Sequence, residues 1–166
     1  MNIRDVLLWG FTGTTVLTTI MRGAAAIGQT RIDLPLILGL TLTPNRDRAK
    51  VYGFLFHLAN GWIFALLYAA TFQYFRRATW WLGMLVGAVH ALFVLIVGLP
   101  ALPGLHPRMA TDARGPEPTL ELEPPGFLAI NYGRQTAVVT ILAHLTFGAI
   151  LGTFYRPKPA RRAVPR

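Results

Sequence analysis

Two apolar stretches of this chain begin with histidine and run in step: HLANGWIFALLY from His57 to Tyr68, and HLTFGAILGTFY from His144 to Tyr155. His, Leu, Gly, Ile and Tyr recur at the same spacing in both. A third histidine, His90, lies in another apolar stretch, and the fourth, His106, lies among prolines. Neutral imidazole is a common metal ligand. Two such rings facing each other could hold a haem b as axial ligands, His57 from one side and His144 from the other. His90 would then hydrogen-bond from behind, and the ligand pair would set the redox potential. The plainer reading is the first expectation: no cofactor, with each imidazole bonded to a neighbouring carbonyl or threonine and locking a helix bundle. Polar contacts of that kind contribute about 1 kcal/mol or less inside a membrane.

The chemistry open to the chain is narrow. It contains no cysteine and no serine. Disulfides, thiolate metal sites, CxxCH haem attachment and Ser or Cys nucleophiles are thereby excluded. No HExxH, Walker or GxGxxG pattern occurs. Asp112, Glu117, Glu121 and Glu123 follow no calcium-loop spacing. No metal site and no catalytic activity are expected.

The histidines must be positioned by membrane-spanning helices. Hydrophobic residues make up 53% of the chain and charged ones 14%, against roughly 25% charged in an average soluble protein. A bilayer core of about 30 Å needs about 20 apolar residues in a helix. Four segments reach that length: 6–26, 51–75, 80–99 (ended by Pro100) and 136–155. The first is the least apolar, with several threonines and Arg22. Arg4 ahead of it and Ala24-Ala25-Ala26 near its end leave a cleaved signal peptide as the alternative. The expected fold is all-α, one integral membrane domain over 1–156 followed by a basic cytoplasmic tail, 157–166.

The net charge of +9 could suggest nucleic acid. The basic residues, however, flank the apolar runs, where Lys and Arg orient a membrane protein. No nucleic-acid partner is expected. Four spans put both termini on one side. All acids but Asp5 fall on the other side, and the dense basic cluster at Arg76–Arg77 and the tail points to cytoplasmic termini.

Placing His57 over His144 aligns Gly61 and Ala65 with Gly148 and Gly152, four residues apart on the histidine's own helix face. Small residues at this spacing let helices approach closely in lipid. The histidines should therefore face a protein seam formed by spans two and four. Gly83 and Gly87 precede His90 in the same way, and Gly10, Thr14 and Thr18 form a looser match in span one. The chain thus parses into two helix-pair repeats, 1–75 and 78–156, with the same orientation in the membrane.

Two connectors interrupt the spans. Residues 32–43 are apolar but too short to cross, which suggests an interfacial or re-entrant segment. Asp33 within it can pair with Arg22 or Arg31, as a tether or as the gate of a small-solute or ion transporter. Residues 100–135 are proline-rich and expected to be an extended loop outside the membrane, with His106 on its surface.

The layout resembles a family of small bacterial inner-membrane proteins with four spans and no established activity. The likeness rests on the glycine- and threonine-rich first helix, on Asp33-Leu-Pro-Leu-Ile-Leu-Gly39, and on His57–Gly61 and His144–Gly148. It implies the fold and a bacterial cytoplasmic membrane. The many small-residue faces point separately to a non-catalytic role, as an accessory subunit of a larger membrane complex or a self-associating bundle, whose spare glycine faces meet partner helices.

Overall fold

The computed structural model describes residues 1–111 and 122–158. Among them there are six α-helices and no strand: α1 (Ile3–Ala26), α2 (Leu34–Leu40), α3 (Arg46–Tyr74), α4 (Trp80–Phe93), α5 (Leu99–Leu105) and α6 (Thr136–Phe154). Four of them start at a capping side chain. Asn2, Asp33, Asn45 and Thr79 accept from the backbone N–H groups of Asp5, Leu36, Arg48 and Leu82, satisfying donors that a helix start leaves free.

Three helices are long and apolar enough to cross a membrane: α3, the continuous helix Trp80–Leu105, and α6. The second of these runs past the end expected at Pro100. A π-turn over Val94–Gly98 links α4 to α5 and shifts the bonding register, so that Leu99 N–H reaches the Val94 carbonyl. Pro100 then falls in the first turn of α5, where its missing N–H costs nothing.

The helices pack side by side in the order α4, α6, α1, α3, α2, and α6 touches α3 only sparsely. One end of the bundle gathers both termini. Asn2 N–H donates to the Tyr155 hydroxyl (3.2 Å), Arg156 N–H to the Asp5 carboxylate (2.9 Å), and the Gln73 amide bonds Lys158. The other end joins the two connectors. Thr30 and Thr136 hydroxyls meet at 2.7 Å, and Arg31 N–H donates to the Tyr132 carbonyl at 2.7 Å. Around the outside stand large apolar side chains such as Leu7, Phe11, Ile63, Leu67, Leu85, Val89 and Leu142, all exposed. So wide an exposed apolar surface marks a partner or membrane surface rather than a water-facing one.

The connectors are more ordered than an extended loop. Residues 34–40 form α2, which lies on α3 so closely that a methyl at Gly39 or Gly53 would fall on the backbone carbonyl of Ala49 or Pro35. His106, expected at the surface, is fully buried. Its Nδ1 accepts the Arg108 N–H (3.0 Å), so Nε2 carries the proton and donates to the Ile37 carbonyl (2.9 Å). The Arg108 guanidinium donates to the Leu40 carbonyl. Together these pin the second connector to the C-terminal half of α2, where helix carbonyls lack intrahelical partners. Asp112, Glu117, Glu121 and most of the basic tail lie outside the described residues.

Candidate functional site: a histidine cleft between α3 and α4

The small residues singled out in the sequence all sit in helix seams, but with different neighbours from those expected. Gly61 meets Thr14 and Ala65 meets Gly10, so the small face of α3 is covered by α1. Gly148 and Gly152 meet Gly83, and Gly87 meets the His144 carbonyl, so that of α6 is covered by α4. The expected seam between spans two and four does not form. Each small face closes against the first helix of its own half of the chain. The halves join along α1 and α6, while α3 and α4 stand apart.

The space left by that separation is a cavity of about 260 Å³. It does bring His57 and His144 to one place, together with His90. No charged side chain lines it; its polar groups are those three imidazoles, Asn60 and Thr14. The rest of the wall is apolar, with Phe93 and Leu102 on the α4–α5 side and Leu38 from α2 above. On the side nearer the termini, Phe64 and Tyr68 bridge α3 to α4. Phe64 stacks on His90 (ring centroids 3.6 Å), and the Tyr68 hydroxyl lies 3.4 Å from His90 Nδ1.

Hydrogen bonding fixes part of the imidazole chemistry. His144 Nδ1 lies 2.7 Å from the Thr140 carbonyl. A carbonyl only accepts, so Nδ1 carries the proton and a neutral His144 keeps a lone pair on Nε2. That nitrogen has no hydrogen-bond partner among the described residues. His90 stands edge-on to His144, centroids 4.6 Å apart and planes at 88°. His57 makes no hydrogen bond among the described residues. Beyond the main cavity it borders a narrow gap leading to Arg22 and Asp33. Those two form the expected ion pair at 3.0 Å, with Arg22 exposed and Asp33 partly covered, while Arg31 pairs with Glu123 instead (3.3 Å).

A bis-imidazole haem does not suit this arrangement. Such a group needs a flat slot with one free ring on each face, whereas the His144 ring has His90 edge-on against it and His90 is already stacked on Phe64. The volume is also at or below the roughly 300–1,000 Å³ of ordinary small-molecule pockets. Among the described residues no three His, Asp or Glu side chains are placed to hold a metal ion.

Asn60 and Phe64 were not singled out in the sequence, Tyr68 entered only as a matched position of the repeat, and His106 only as a surface residue. The first three carry a readable signal. Residues 57, 60, 61, 64 and 68 follow helical spacing, so all five share one face of α3. No family model, curated protein or solved structure matches this chain.

Proposed function

We propose that this is a non-catalytic multi-pass protein of the bacterial cytoplasmic membrane that binds a small membrane-soluble molecule in the cleft between α3 and α4. One observation carries the reading: an open, largely apolar cavity whose few polar groups are uncharged lies between two helices that carry exposed apolar side chains. A molecule dissolved in lipid could enter between them without crossing water. Such binding suits an accessory subunit of a larger complex. The glycine faces are less available for partner helices or self-association, because the seams inside the bundle use them.

Four spans are part of this reading. The fourth is α1, whose 24 residues reach about 36 Å at 1.5 Å per residue. Its threonines depress its hydropathy, yet Thr12, Thr14, Thr18 and Thr19 each donate to the carbonyl four residues back. Hydroxyls satisfied in this way cost little in lipid. Leu7, Leu8 and Phe11 face outward beside them. An even number of crossings agrees with termini at one end, and the basic cluster there supports a cytoplasmic side. The matched seams, Gly10 with Ala65 and Gly83 with Gly152, support two like-oriented helix pairs.

Native mass spectrometry of the protein released from bilayer nanodiscs tests the binding role. The expected spectrum has a species carrying one small apolar molecule, which is lost in Leu102→Trp, where the larger side chain fills the cleft. Wild-type protein with no bound molecule would remove the reading.

A further inference from the structure

We infer that the cleft selects an uncharged amphiphile with a hydroxyl head, such as a long-chain or isoprenoid alcohol, a diacylglycerol or a quinol. This inference rests on the binding role proposed above and names its ligand chemistry. The donors and acceptors in the cavity wall decide which head group fits.

His144 offers an acceptor. Its Nδ1 proton is spent on the Thr140 carbonyl at 2.7 Å, so the neutral ring presents only the Nε2 lone pair. The Thr14 oxygen is not such an acceptor: its proton goes to the Gly10 carbonyl at 2.7 Å, and the oxygen packs against Gly61 in the α1–α3 seam. Donors line the same cavity. Neutral His57 carries one N–H with no partner among the described residues, and the Asn60 amide adds two more; the second ring nitrogen of His57 and the Asn60 oxygen are further acceptors. A hydroxyl both donates and accepts, so it can satisfy an acceptor and a donor of this set at once. A ketone or ester could accept from His57 or Asn60 but would leave His144 Nε2 unmet. An alkane would leave every group unmet, and an unmet buried polar group is costly.

Charge is excluded from the other direction. No Lys, Arg, Asp or Glu lines the cavity, so a phosphate or carboxylate head would be buried without a counter-ion. Size sets the remaining limit. Liquid water takes roughly 30 Å³ per molecule, so 260 Å³ holds a hydroxyl head and the first few carbons behind it. The rest of the tail must leave between α3 and α4, past the exposed Phe93. Water filling the cavity is the competing occupant.

Photolabelling separates these cases. The full chain in phosphatidylcholine nanodiscs is exposed to decanol carrying a mid-chain diazirine, to the matching decane and to the matching decanoate. Decanol is expected to label the peptides containing Phe64, Phe93 and Leu102, and unlabelled decanol to compete it away. His144→Phe should weaken that competition by about three- to tenfold, the loss of one hydrogen bond, and leave decane labelling unchanged. His144→Gln keeps an acceptor oxygen and should retain most of the affinity, which separates lost recognition from lost folding. If decane or decanoate labels as well as decanol, and His144→Phe changes nothing, the hydroxyl selection is wrong while the binding role survives. If no probe labels wild type above Leu102→Trp, the cleft holds only water and both fail.

Discussion

Gly83 on α4 and Gly148 on α6 lie back to back, and a methyl group built on either would fall onto the other's carbonyl oxygen. Two backbones in direct contact leave no side chain able to move aside. Inside lipid, such close packing replaces the hydrophobic effect as the force that joins helices. Gly83→Ala should therefore destabilise the fold by about 1–3 kcal/mol, the usual cost of overpacking. Gly23 lies in α1 with nothing within 4 Å of an added methyl. Gly23→Ala should be neutral or stabilising by up to about 1 kcal/mol, since alanine is the better helix former. Equilibrium unfolding in mixed detergent micelles measures both. Equal effects at the two positions would show that the seam is looser than described.

His106 is the clearest structural histidine. It is fully buried, and both ring nitrogens are bonded, one to the Ile37 carbonyl and one to the Arg108 N–H. His106→Ala removes two hydrogen bonds and leaves a cavity, a combined cost of about 2–4 kcal/mol. The effect should be local first. Amide hydrogen exchange at Arg108 and along α2 should speed up while α6 stays protected. Unchanged exchange at Arg108 would mean that this ring does not hold the connector.

How much of this was readable from the sequence differs by element. Span three was expected to stop at Pro100, but proline breaks a helix only where its N–H is needed, and the π-turn at Val94–Gly98 removes that need. Span two was expected from Val51, because charged residues precede it; the helix starts at Arg46, set by the Asn45 cap. Hydropathy finds the part of a helix suited to lipid, while the cap decides where the helix begins. The aligned spacing put His57 and His144 in a seam of spans two and four; that seam does not form, and the two rings line one cavity instead. The same spacing also put Gly61 and Gly148 in helix seams, but not in each other's. Spacing shows which residues share a face and says nothing about which helix covers it. His106 was misjudged for a similar reason: its burial depends on Ile37, distant in sequence, and its proline neighbours suggested an exposed loop.

Asp33 distinguishes a tether from a gate. Its carboxylate pairs with Arg22 and also caps α2, accepting from Leu36 N–H at 3.1 Å. Arg22 is exposed and Asp33 partly covered, with 59% and 28% of their side chains accessible, so the Coulombic part of the pair is worth at most about 1 kcal/mol. Asn is as good an N-cap as Asp. Asp33→Asn should therefore change stability by less than about 1 kcal/mol. Asp33→Ala loses the cap as well and should cost about 1 kcal/mol more. Unfolding midpoints of the two variants make the comparison. A large loss in Asp33→Asn would mean that the charge matters beyond capping, and would revive a coupling role for the pair.

Tyr132 predicts how the connector responds to alkali. It lies in the short 3₁₀ segment Phe127–Tyr132, and its hydroxyl donates to the Glu123 carbonyl at 2.7 Å. Burial pushes its phenol up from 10.0 to about 12; the Glu123 carboxylate adds to the rise and Arg31 opposes it. The folded form thus keeps a proton that the unfolded chain releases between about pH 10 and 12. Its contribution to stability is complete below pH 10 and declines as pH rises towards 12. Tyr132→Phe removes both the hydrogen bond and the titration. It should be less stable at neutral pH by about 1 kcal/mol, with a flatter pH dependence above 10. Phenolate absorbance should lose one component titrating near 12. If the component lost in Tyr132→Phe titrates near 10, the phenol is open to water and the docking of the two connectors through Arg31 and Tyr132 is weaker than the geometry implies.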